Sequence, residues 1–77
     1  MKKFNVKLES IKGVQNFVKQ SAKAKGDVTL KSGRYVIDGK SIMGVFSLGF
    51  EDDVTLEVEE RDAHLFEDIK GMMITEL

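Results

Sequence analysis

Seventy-seven residues, 42% hydrophobic and 32% charged, are enough to bury one small core and too apolar to stay disordered. With no cysteine the chain can build neither a disulfide framework nor a thiolate metal site, and no apolar run reaches membrane-spanning length. The net charge of −1 is divided along the chain: residues 1–40 carry ten Lys/Arg against three Asp/Glu, and residues 41–77 carry two against ten. Both halves also carry regular hydrophobic patterns. The division is therefore read as basic and acidic elements lying side by side in one domain spanning 1–77, and not as a nucleic-acid arm or an acidic tail. Met1-Lys2-Lys3 is not followed by a signal-peptide core, which points to a cytoplasmic chain without membrane insertion.

In chain order, Phe4, Val6 and Leu8 alternate with Asn5 and Lys7, as in a strand with one buried face. Ser10 suits a helix N-cap, with Ile11, Val14, Phe17, Val18 and Ala22 following at helical spacing and Gly26 placed to end the helix. Val28 and Leu30 mark a second strand, Ser32-Gly33 a tight turn, and Tyr35-Val36-Ile37 a third strand. Ser41 is placed to cap a short helix running to about Leu48. Within it, the spacing turns Val45 and Leu48 inward and leaves Ile42, Met43 and Phe46 at least partly exposed. Glu51-Asp52-Asp53 reads as a charged turn, and Val54, Leu56 and Val58 alternate in the clearest strand. Asp62 is a plausible cap for a last helix presenting Ala63, Phe66, Ile69, Met72 and Met73 on one face.

The order β-α-β-β-α-β-α makes an α+β, open-faced two-layer sandwich, a four-stranded antiparallel sheet with helices on one face. Lys7 or Lys31 is then placed to pair with Glu57 or Glu59 across the sheet. Three adjacent carboxylates at 51–53 lack the alternating oxygen ligands of a calcium loop, and no phosphate-cradling glycine loop occurs. Lys19, Lys23 and Lys25 make a basic helix face without the interleaved aromatics of a nucleic-acid site. Neither a metal, a cofactor nor a nucleic acid is expected.

The run Lys40-Ser41-Ile42-Met43-Gly44-Val45-Phe46-Ser47-Leu48-Gly49 resembles the regulatory-serine segment of HPr proteins from Gram-positive bacteria, where a methionine stands at the position of Phe46. The element order resembles the HPr fold over essentially the whole length. HPr is the phosphocarrier of the bacterial sugar phosphotransferase system, and its carrier chemistry needs His-x-Arg-Pro at the head of the first helix. The imidazole accepts the phosphoryl group, and the helix N-terminus and the arginine stabilise it. In a gapless register this chain has Ser10, Lys12 and Gly13 at the histidine, arginine and proline positions. Its sole histidine, His64, is placed by the resemblance at the opposite pole, and a lone histidine on a helix is ordinarily just solvated.

The resemblance thus implies a binding and signalling protein rather than an enzyme, with phosphorylation of Ser41 as its regulatory event. Ile42, Met43 and Phe46 would form its interface with other proteins. Lys12 would be a further contact, a point charge without the arginine's bidentate fork. The implied partners are HPr kinase/phosphorylase, a catabolite-control transcription regulator and the phosphotransferase enzymes. Two rivals stay open: an active phosphocarrier using a different residue, and a diverged interaction scaffold unrelated to sugar transport.

Overall fold

The computed structural model of the protein describes residues 1–48, 54–67, 69 and 71–77, with Met73 described by its main chain only. The elements are β1 (Lys2–Leu8), α1 (Ile11–Ser21), β2 (Val28–Ser32), β3 (Tyr35–Asp38), α2 (Ile42–Ser47) and β4 (Val54–Val58), followed by a 3-10 helix (Glu60–Phe66) and β5 (Met72–Glu76). Every strand pairing is antiparallel and the sheet order is β3-β2-β4-β1-β5, with the helices on one side.

Alternation decides which face of the sheet is covered. Phe4, Val6 and Leu8 of β1, Val28 and Leu30 of β2, and Val54, Leu56 and Val58 of β4 all turn inward. They meet Val14 and Phe17 from α1, Val45 and Leu48 beside them from α2, and Phe66 from the 3-10 helix. The rings of Phe17 and Phe66 lie 5.5 Å apart at 43°, a tilted contact that ties α1 to the chain's last third.

The last helix and the four-strand count are corrected. The chain takes a 3-10 helix and then a fifth strand, which pairs with β1 from Phe4↔Glu76 to Leu8↔Met72. Gly71 interrupts the apolar spacing with φ 83°, a left-handed conformation that no helix interior accepts. The β-branched Ile74-Thr75 then suits the edge of β1, whose backbone groups would otherwise lack a partner strand. Phe66, Ile69 and Met72 are buried all the same.

Asp62 does not cap a helix either. Its side chain is only 2% exposed, and its carboxylate accepts the amides of Lys25 (3.0 Å) and Gly26 (2.9 Å). Gly26 does not end α1: the helix stops at Ser21 with Ala22 as a right-handed C-cap, and the Gly26 amide serves the Asp62 tie instead. Those two backbone hydrogen bonds, the Lys25 one first, hold the Asp62 carboxyl below the ordinary aspartate range.

The divided charge is partly reconciled within the sheet. Acidic β4 lies between the basic strands β1 and β2, Lys31 pairs with Glu57 at 2.7 Å, and Lys3 stands opposite Glu57 in register. The Lys31 contact, with Lys3 adding to it, lowers the Glu57 carboxyl from its ordinary value.

Candidate functional site

Two helix starts carry the residues singled out by the sequence. At the first, Ser10 leaves β1 in an extended conformation (φ −159°, ψ 166°), and its hydroxyl accepts the Gly13 amide at 3.0 Å. The serine is thus an N-cap whose oxygen is already engaged. Lys12 and Ile11 point to solvent on the first turn of α1, with Ile11 59% exposed. Gly13 is buried, and the reason comes from the far end of the chain. A Cβ on Gly13 would overlap the carbonyl oxygen of Gly71, and a Cβ on Gly71 would stand 2.8 Å from both Ser10 Oγ and Gly13 Cα. The same Gly71 oxygen accepts the Glu9 amide at 2.8 Å. Two backbones approach here as closely as only glycines allow.

The second start is built by the turn after β3. Gly39 donates to Val28 O (2.8 Å) and packs against Val28 and Phe17, so the chain reverses hard against the core. Asp38 then accepts the Lys40 amide on its side chain (2.9 Å) and the Ser41 amide on its carbonyl (3.0 Å). Ser41 enters α2 as the expected N-cap, its hydroxyl accepting the Gly44 amide at 3.2 Å. Gly44 sits directly over Ile37, where a Cβ would come within 2.8 Å of Ile37 Cγ2. That close seat, with Val45 and Leu48 buried, fixes which side of α2 faces out.

The outward side is apolar. Met43 is 77% exposed, Ile42 41% and Phe46 39%, and α2 has no charged residue. These three side chains and the Ser41 hydroxyl therefore belong to one short helix held on the sheet by its other face. Lys40, whose ammonium donates to Ala24 O at 3.3 Å, links the start of α2 to the loop after α1. The two helices pack against each other.

His64 lies exposed in the last turn of the 3-10 helix, while the neighbours of Ser10 are Gly13 and Gly71. The carboxylates Glu51, Asp52 and Asp53, read as a turn without metal ligation, lie outside the described residues, as does Gly49 at the end of the resemblance. Among the described residues no three His, Asp or Glu side chains gather as a metal site. The residue that sequence reasoning missed is Gly71. Its one signal was a glycine inside an apolar helical pattern, where helices seldom place one.

A family model described as the PTS HPr component phosphorylation site matches residues 6–73. The chain belongs to the HPr family. No curated protein and no solved structure matches it. The match takes in both helix starts and links the chain to the phosphocarrier family of the sugar phosphotransferase system. HPr family proteins are phosphocarriers rather than enzymes, and they interact with other proteins of that system. No helix among the described residues is long and apolar enough to cross a membrane.

Proposed function

We propose that this HPr-family chain is a cytoplasmic regulatory and binding protein linked to the sugar phosphotransferase system, switched by phosphorylation of Ser41 and without phosphocarrier activity. The observation that carries the reading is the exposed Ile42, Met43 and Phe46 surface on the helix that Ser41 caps. An apolar cluster left open in this way favours docking of a partner protein, and methionine adapts to more than one. A phosphate on Ser41 places a dianion within two residues of Ile42 and Met43, so it changes what can dock there. The expected partners are HPr kinase/phosphorylase, a catabolite-control transcription regulator and the phosphotransferase enzymes, with Lys12 as a charged contact at the head of α1.

The carrier reaction is not expected, because its position holds Ser10. A serine hydroxyl lacks the basicity of imidazole, and this one is committed to the Gly13 amide. The deciding experiment incubates the chain with HPr kinase/phosphorylase and ATP and reads the intact mass. A gain of about 80 Da, one phosphate per chain, is expected. It should vanish in Ser41→Ala. An unmodified chain, or a gain that survives the substitution, overturns the assignment. A parallel incubation with phosphoenolpyruvate and enzyme I should leave no acid-labile phosphate; label there establishes a carrier using another residue.

A further inference from the structure

At the head of α1 a missing histidine is only half of what separates this chain from a carrier; the other half is the turn at Gly71. The Gly71 carbonyl oxygen accepts the Glu9 amide, so the backbone just before the cap is occupied. The same peptide fills the space beside Gly13, with the Gly71 carbonyl carbon 2.7 Å from where a Gly13 Cβ would stand. The Gly13 amide is spent on Ser10 Oγ and the Val14 amide on Ser10 O, at 3.0 and 3.1 Å. A helix start normally attracts an anion through free N–H groups and the positive end of the dipole. Here the Gly71 carbonyl oxygen, itself partly negative, stands beside Gly13 in the first turn of α1.

Described residues anchor Gly71 on both sides. Ile69 before it and Met72 after it are both buried, Met72 N donates to Ile69 O at 3.3 Å, and β5 continues along β1 for five register positions. We infer that the Gly71 turn, which leads into β5, is a plug that closes the α1 corner to a phosphoryl group. Gly13 and Gly71 are matched to each other: neither position tolerates a side chain while the other stays where it is. The plug rests on the family reading only for naming this corner as the place where a carrier would stand.

The test needs no protein partner, so its outcome is separate from that of the Ser41 reaction. The full-length Ser10→His variant is treated with phosphoramidate, a small phosphoryl donor. An imidazole nitrogen attacks phosphorus, the P–N bond breaks, ammonia departs, and the ring's N–H proton is released to solvent. Exposed His64 in the same molecule is the internal reference. Site-resolved mass spectrometry is expected to show residue 10 labelled at least about tenfold more slowly than His64. Adding Gly71→Ala should remove most of that difference, because the new Cβ must push the turn off Ser10 and Gly13. Faster amide exchange along β5 should accompany it. Equal labelling of residue 10 and His64 in the single variant overturns the plug. So does a folded double variant that labels residue 10 no faster than the single one. Should the double variant not fold, the single variant's ratio alone decides.

Discussion

Replacing Gly13 with alanine separates a close-packed corner from an ordinary first helical turn. In an open helix Gly→Ala stabilises by up to about 1 kcal/mol, because alanine loses less backbone freedom on folding. In this chain the new methyl group would overlap Gly71 O and lie 2.7 Å from Gly71 C and 3.1 Å from Gly71 Cα. All three are backbone atoms, so no side chain can rotate away and the Gly71 backbone leading into β5 must move. Overpacking of that kind costs about 1–3 kcal/mol, with a rigid neighbour placing it in the upper half. Set against the propensity gain, a net loss of about 1–2 kcal/mol remains. For a domain of this size that lowers the melting temperature by about 5–15 °C. Urea titration by circular dichroism measures the stability, and amide exchange locates the change, expected at the Glu9 amide and along the β1–β5 ladder. A Gly13→Ala chain as stable as the parent, with the Glu9 amide still protected, would refute the close approach.

The remaining predictions concern the core, the loop tie and the second cap. Phe66→Ala should cost about 3–5 kcal/mol, since the ring is fully buried against Phe17. The whole chain has about 4–12 kcal/mol to lose, so calorimetry should show a broad or absent transition. The folded Asp62 carboxyl lies below its ordinary value, so as pH falls the unfolded chain takes up the proton first. The stability it contributes is therefore complete above the ordinary aspartate range and is lost as pH falls through the folded value. Asp62→Asn should flatten this acid limb in urea midpoints measured from neutral pH downward, whereas an unchanged slope would place the acid sensitivity elsewhere. Ser41→Ala should cost about 1 kcal/mol through loss of the cap, and Ser41→Asp should recover most of it, because a carboxylate caps as well as a hydroxyl. If the two variants have equal midpoints in urea, the Gly44 amide does not depend on residue 41.

Most of the route from β1 to β4 was legible in the residues. Phe4/Val6/Leu8 and Val54/Leu56/Val58 alternate with a period only a half-buried strand satisfies, and Ser10 and Ser41 were identified as caps by their places before helical spacing. The outward face of α2 was legible too, because Val45 and Leu48 fix the inward one. The last third misled for a physical reason. Phe66, Ile69 and Met72 recur at a spacing that fits a helix face, and all three are indeed buried, but burial alone does not name the element. Asp62 likewise has a capping residue's chemistry, and it satisfies two backbone amides of a loop 36 and 37 residues away instead of those of its own helix.

By itself, then, the sequence determined where apolar side chains recur and which hydroxyls could close a helix, since periodicity and capping act over a few neighbouring residues. Tertiary structure alone decided that the chain's last stretch becomes a strand on β1, and that Gly71 is pressed into the corner formed by Ser10 and Gly13. Those outcomes depend on an unpaired strand edge and on two backbones meeting across 57 intervening positions. No local pattern encodes a contact whose partner lies at the other end of the chain.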